Sequence, residues 1–201
     1  MIAAILAGGK STRFGQGIDK CLYPIYGKPM IMFVYSKLVK SKQFMDLYIV
    51  TSWEKAEHFS SLGLKVFIDN FLLGPLPAIY QILKMFKSVF VIGCDTPLIE
   101  VTSIERFCSL CLDSADACIP MWRTSRYLEP LFAVYRDALL KTLEMCFYSG
   151  EYSIAKCLKD RASVQYIDAE NVFRFPYKEV FNVNTIEDLN KLYDVGYDEL
   201  V

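Results

Sequence analysis

Ile2-Ala3-Ala4-Ile5-Leu6-Ala7-Gly8-Gly9-Lys10-Ser11-Thr12-Arg13-Phe14-Gly15, followed closely by Asp19-Lys20, decides how the rest of the chain reads. An apolar run short enough for a buried strand ends in two glycines, then a hydroxyl pair, an arginine, another glycine and a lysine. Paired glycines let backbone N–H groups turn toward an anion without Cβ interference, and Arg13 and Lys20 add fixed positive charge. The layout is that of a phosphate cradle.

Neither of the two common phosphate loops fits. A Walker loop needs glycine, four residues, then Gly-Lys-Ser/Thr; Gly9-Lys10-Ser11 supplies the ending, but Ala4 stands where the first glycine belongs. The dinucleotide fingerprint separates its first two glycines by one residue, and Gly8-Gly9 are adjacent. A third kind of loop is indicated.

Working outward, strand-like and helix-like stretches alternate. Pro29 stands where a first helical residue is favoured, and Ile31, Val34, Tyr35 and Leu38 recur at helical spacing within 31–39. Leu47-Tyr48-Ile49-Val50-Thr51 reads as a strand buried on both faces, 54–62 as a helix, and 64–68 as a strand ending at Asp69. After the Gly74-Pro75-Leu76-Pro77 turn, 78–87 reads as a helix and Val89-Phe90-Val91-Ile92 as the most apolar strand, ending in Gly93-Cys94-Asp95. Further on, 103–112, 137–147 and 152–158 read as helices, and 117–120, 131–135 and 164–167 as strands. Asn184-Thr185-Ile186-Glu187-Asp188-Leu189 carries an N-cap signature opening a final helix to about Tyr193, with Asn184 as the capping side chain. This alternation predicts one three-layer α/β/α domain over 1–201 with a mainly parallel sheet. In such sheets ligands lie outside the carboxyl ends of the strands, where Asp69 and Asp95 fall.

Composition limits the function. The 201 residues are 53% hydrophobic with a net charge of −1, so a nucleic-acid partner, which would need a strongly basic surface, is not expected. Glycines break the first apolar run after Ala7, too early for a signal segment or a membrane span, so a cytoplasmic protein without a membrane partner is expected. Seven cysteines, an odd number, suit reduced and mostly buried thiols. Cys108 and Cys111 have a metal-knuckle gap but no second pair. His58 has no acid and nucleophile set around it in the sequence, so a catalytic triad finds no support.

The stretch from Leu6 to Gly15 with Asp19-Lys20 resembles the signature of nucleotidyltransferases of the nucleotide-diphospho-sugar transferase superfamily, whose sheet is Rossmann-like. Asp69 with Gly74-Pro75-Leu76, then Gly93-Cys94-Asp95-Thr96-Pro97, then Phe181-Asn182-Val183-Asn184-Thr185 follow in order and resemble the molybdenum cofactor guanylyltransferase family. The resemblance implies transfer of GMP from Mg-GTP to the phosphate of molybdopterin or its molybdenum-loaded form, with release of pyrophosphate. Cofactor-delivery or acceptor proteins are implied as further partners. It implies nucleotide binding by Leu6, Ala7, Gly8, Gly9, Lys20, Asp69 and Asp95, and charge neutralisation by Arg13 and Lys20. Asp95 is implied as the Mg²⁺ ligand, consistent with that ion's preference for hard oxygen donors. Asn182 and Asn184, expected on one face by strand alternation, are implied on the acceptor side.

Two features depart from the family pattern: Gln16-Gly17-Ile18 lengthen the loop, and Trp53 stands where an asparagine is usual, available for stacking. Arg123, Arg126 and Glu129 lie in a polar loop and are read either as acceptor contacts or as ordinary surface charge. Cytidylyl transfer to the same pterin, or nucleotidyl transfer to a sugar phosphate, phospholactate or cobinamide phosphate, stays open within the enzyme class. From another class, a catalytically silent nucleotide-binding module stays open, though Arg13, Lys20 and Asp95 together speak against it.

Overall fold

Strands buried in parallel sheets read as continuous apolar runs, and the computed structural model, which describes residues 1–9, 14 and 19–195, builds its sheet from such runs. The first half comprises β1 (Ile2–Leu6), a 3₁₀ turn (Lys20–Leu22), the hairpin β2 (Pro24–Ile25) and β3 (Lys28–Pro29), α1 (Met30–Ser41), β4 (Leu47–Thr51), α2 (Trp53–Ser61), β5 (Val66–Ile68), α3 (Pro75–Leu83) and β6 (Ser88–Gly93). The second half comprises α4 (Val101–Leu110), β7 (Ala117–Met121), β8 (Phe132–Arg136), a second 3₁₀ turn (Asp137–Leu139), α5 (Leu140–Tyr148), α6 (Ile154–Leu158), β9 (Val164–Asp168), α7 (Ala169–Val172) and α8 (Ile186–Val195).

Seven strands pair in the order β5-β4-β1-β6-β8-β7-β9. All neighbours are parallel except at β8, which runs antiparallel to both β6 and β7. From β1 the chain first moves outward to β4 and β5, then returns to place β6 on the other side of β1. That reversal opens a crevice at the carboxyl ends of β1 and β6.

Side chains alternate along β1, so Ala3, Ile5 and Ala7 pack with Ile31, Val34 and Leu38 of α1 and Ile104 and Phe107 of α4. Ile2 and Ala4 face the other way, toward Ile79 and Ile82 of α3 and Leu143 of α5. Each fully buried Ile or Phe contributes roughly 2–3 kcal/mol. That exceeds the helix penalty of about half a kcal/mol for a β-branched residue, so Ile31 and Val34 sit in α1 without breaking it. A third cluster of Ile25, Met30, Phe33, Leu98, Val183, Leu189 and Leu192 fastens the hairpin and α8 to the segment that follows β6.

Several local expectations are corrected. The Gly74–Pro77 turn is instead the entry to α3: Gly74 takes φ +100°, and Pro75 and Pro77 lie in the first turn, where missing N–H groups cost nothing. Pro29 stands one residue outside α1. Asn184 does not cap α8 through its side chain. Thr185 Oγ1 accepts from Asp188 N at 3.1 Å while Asp188 Oδ2 accepts from Asn184 N and Thr185 N, both at 3.0 Å, a reciprocal cap one residue later.

The expectation of reduced thiols fails for four cysteines, since Cys21–Cys94 and Cys146–Cys157 are disulfides; Cys108, Cys111 and Cys118 are free. Folding brings pairs 73 and 11 residues apart to Cα separations of 5.7 and 5.8 Å, a proximity that spacing along the chain does not announce.

Candidate functional site

A cavity of about 360 Å³ opens at the carboxyl ends of β1 and β6. Its walls include Leu6, Gly8 and Gly9 at the end of β1, Asp69 after β5, Gly74 and Pro75 at the start of α3, and Gly93, Cys94 and Asp95 at the end of β6, with Lys20 and Cys21 on one side. Of the sequence-predicted residues, Leu6, Gly8, Gly9, Lys20, Asp69 and Asp95 thus gather in one place, while Ala7, Asn182 and Asn184 are not part of the wall. Arg13 and Gln16–Ile18 lie outside the described residues.

Two glycines at β1 are not demanded by the protein's own packing. A Cβ on Gly8 would meet only Asp69 Oδ2, at 4.0 Å, and one on Gly9 would meet nothing within 4 Å. Neither takes a positive φ. What their missing side chains leave is unobstructed backbone facing the cavity, as close approach of a phosphate requires. Gly93 differs, because a Cβ there would overlap Asp95 Oδ1, so this glycine makes room for the carboxylate itself.

Lys20 is held by a short chain of polar contacts. Asp19 Oδ1 accepts from Cys21 N at 2.9 Å, capping the turn that carries Lys20. The Lys20 ammonium donates to Asp95 Oδ2 at 2.6 Å and to Asn184 Oδ1 at 2.9 Å. Lys20 and Asp95 side chains are each 15% exposed, so the pair stays accessible from the cavity side. Asn184 reaches this pair because its backbone, not its side chain, serves the cap of α8. Asn182 does not share that face; it is exposed and donates to Val180 O at 3.0 Å. The segment around it is not a strand, so alternation does not apply.

Asp69 is 5% exposed and divides its two oxygens. Oδ1 accepts from Phe71 N at 3.0 Å, Leu72 N at 3.3 Å and Gln81 Nε2 at 2.6 Å, the turn-closing role an aspartate often takes. Oδ2 is the atom that a Cβ on Gly8 would meet, and Asp69 lines the cavity. Gln81 lies outside the sequence-predicted set, although one amide in the otherwise apolar helix Pro75-Leu76-Pro77-Ala78-Ile79-Tyr80-Gln81-Ile82-Leu83 is a readable signal that something polar lies opposite. Lys55 of α2, which carries no sequence signal of such a role, donates its ammonium to Gly9 O at 2.9 Å and pairs with Asp19 Oδ2 at 2.9 Å, bridging the two flanks of the glycine loop.

Other candidates lie elsewhere. Trp53 is 78% exposed on the first turn of α2 and is not part of the cavity wall. Arg123 pairs with Asp168. Glu129 accepts from Trp122 Nε1 at 2.7 Å; burial pushes its carboxyl up, and the indole N–H offsets part of that rise. The first contact ties the polar loop to the end of β9, and the second braces the loop itself. His58 sits on the solvent face of α2.

Bare backbone at a glycine turn, one lysine and one carboxylate at a switch point form a set able to bind and polarise a phosphate without a protein nucleophile, as nucleotidyl transfer requires. Residues 3–165 match the MobA-like NTP transferase domain, and the chain belongs to that family. It is 35% identical over 193 residues to the "Probable molybdenum cofactor guanylyltransferase" of Thermococcus sibiricus, covering 96% of this chain and 97% of that one. It is 36% identical over 194 residues to the protein of the same name from Thermococcus gammatolerans, covering 96% and 99%. Among solved structures, the molybdopterin-guanine dinucleotide biosynthesis protein A of Archaeoglobus fulgidus superposes with a TM-score of 0.80 at 28% identity, covering 97% of this chain and 98% of that one.

Nucleotidyltransferases of this family generally use a divalent metal. Among the described residues no three His, Cys, Asp or Glu side chains converge on one point. Magnesium is commonly held by only one or two carboxylates, with phosphates and water completing the shell. Asp95, seated over Gly93 and open to the cavity, fits that requirement.

Proposed function

We propose that the chain is one nucleotidyltransferase domain over 1–201 that transfers GMP from GTP to the phosphate of molybdopterin or its molybdenum-loaded form. The convergence of Lys20, Asp95 and Asn184 beside an unobstructed glycine turn carries this reading. An oxygen of the acceptor phosphate attacks the α-phosphorus of GTP, the bond to the β-phosphate bridge breaks, and pyrophosphate leaves. The protein's part is alignment and charge neutralisation. Leu6, Ala7, Gly8 and Gly9 receive the nucleotide through their backbone, and Asp69 contacts it. Lys20, with Arg13, offsets the negative charge that builds as pyrophosphate departs. Asp95 would hold Mg²⁺, which when bound would supply further neutralisation of the phosphate charge. Asn184 lies toward the acceptor, whereas Asn182, exposed and turned to Val180 O, has no part in the reading. No described helix is long and apolar enough to cross a membrane, and the enzyme works in the cytoplasm, meeting proteins that deliver or take up the cofactor.

The deciding experiment is pyrophosphate release with GTP, Mg²⁺ and the pterin acceptor, expected with all three and not with either substrate alone. Asp95→Ala should lower it by roughly 10³-fold while leaving the melting temperature close to that of the wild type. Full activity in that variant would remove Asp95 from the reaction. A melting-temperature panel of four nucleoside triphosphates with Mg²⁺ tests the base, since a ligand stabilises according to its occupancy of the native state. A shift with CTP alone would overturn guanylyl transfer.

A further inference from the structure

The Cys21–Cys94 disulfide joins the residue after Lys20 to the residue before Asp95. Both half-cystines line the cavity beside those two side chains, and each residue is 2% exposed. Apart from this bridge, Lys20 reaches Asp95 and Asn184 through side-chain contacts. The Lys20–Asp95 ion pair, 15% exposed on each side, is a non-covalent contact, whereas the bridge beside it is covalent. The bridge holds the Cα atoms of Cys21 and Cys94 5.7 Å apart, and with them the chain positions of Lys20 and Asp95. The second disulfide, Cys146–Cys157, links α5 to α6, and neither residue lines the cavity.

We propose that the Cys21–Cys94 disulfide is a positioning element of the reaction centre, holding Lys20 against Asp95, and that its reduction by a dithiol lowers turnover. This rests on the nucleotidyl-transfer reading above. In the reduction, a thiolate of the dithiol attacks one sulfur, the Cys21–Cys94 bond breaks, and the released cysteine takes up a proton. The second thiol of the reductant then resolves the mixed disulfide. Two electrons and two protons pass to the cysteine pair, and the reductant leaves as its own disulfide. In a reducing compartment, protein disulfides are mostly transient or redox-sensing. A bridge built into the reaction centre turns such a change into a change of rate.

Four preparations test this: oxidised wild type, wild type treated with dithiothreitol, a Cys21→Ser/Cys94→Ser double variant, and a Cys146→Ser/Cys157→Ser double variant. Thiols are counted by mass spectrometry after alkylation. Pyrophosphate release should fall about 10- to 100-fold in kcat in the reduced wild type and the Cys21→Ser/Cys94→Ser variant, with a much smaller change in KM for GTP. The oxidised Cys146→Ser/Cys157→Ser variant should stay within about twofold of the oxidised wild type and lose activity on reduction as the wild type does. Should the serine variant at 21 and 94 not fold, the reduced wild type carries the comparison.

A second readout needs no turnover. Mg-GTP should slow reduction of Cys21–Cys94 and not of Cys146–Cys157, because the nucleotide fills the cavity that the first bridge lines. Equal kcat in oxidised and reduced enzyme would overturn the positioning role and leave the nucleotidyl-transfer reading intact, as would a rise in kcat on reduction. Reduction of Cys21–Cys94 at one rate with and without Mg-GTP would overturn its placement at the nucleotide. If no preparation releases pyrophosphate from any nucleoside triphosphate, the underlying reading fails and the proposal with it.

Discussion

β1, β4, β5 and β6 run parallel and finish side by side, so their carboxyl-end loops deliver Gly8, Gly9, Asp69 and Asp95 to one crevice. β8 runs the opposite way between β6 and β7, and it meets that crevice with its amino end, through Leu131, whose carbonyl accepts from Gly93 N at 3.2 Å. At the crevice the parallel half supplies most of the polar groups, and β8 supplies apolar mass beside it. Phe132 of β8 packs edge-on to Phe90 and also touches Phe107 and Phe173. Chemistry and stability are thereby concentrated in different strands, and substitutions should separate them.

The largest expected effect falls on the apolar side. Phe132→Ala empties a buried site among three other rings and should cost about 3–5 kcal/mol of stability. Measured on the fraction still folded, its kcat should barely change. A wild-type stability by denaturant titration would mean that the β8 side collapses to fill the void. On the polar side, Lys20→Met keeps the length of the side chain and removes its charge. Pyrophosphate release should fall roughly 10²- to 10³-fold, with thermal unfolding little altered because the ammonium is partly exposed. A large stability loss with retained turnover would reverse the comparison.

Next comes Gln81, which belongs to the parallel half without lining the cavity. Gln81→Leu removes one of three donors on Asp69 Oδ1. A hydrogen bond to a charged group contributes about 1.5 kcal/mol or more, so the KM for GTP should rise about tenfold with kcat kept. Steady-state kinetics in which kcat alone changes would show Asp69 acting on the transition state in preference to nucleotide binding.

How much of this arrangement the sequence discloses depends on the range of the interaction. The strands at 47–51 and 89–92 are legible because burial on both faces selects unbroken apolar runs, and the glycine turn is legible because an anion site needs bare backbone. Strand direction is not: Phe132-Ala133-Val134-Tyr135 reads the same for either orientation, and only its neighbours fix it as antiparallel. Helix starts shifted where proline obscured them, as at Pro75. The pairing of Cys21 with Cys94 rests on closeness across 73 residues. The roles of Gln81 and Lys55 are hidden for the same reason, since each acts on a residue distant in the chain.

The smallest effect tests two adjacent residues that serve the two functions separately. Thr185 closes the reciprocal cap with Asp188 at the start of α8, whereas the Asn184 side chain accepts from Lys20 at 2.9 Å. Thr185→Ala should cost about 1 kcal/mol of stability, as loss of a cap commonly does, and leave kcat unchanged. Asn184→Ala retains the backbone N–H that Asp188 accepts, so its melting temperature should stay near the wild-type value while turnover drops with the loss of one contact that orients Lys20. Parallel melts and kinetics on the two variants resolve this. If Thr185→Ala lowers turnover as much as Asn184→Ala does, then the position of α8, not the amide of Asn184, is what the lysine depends on.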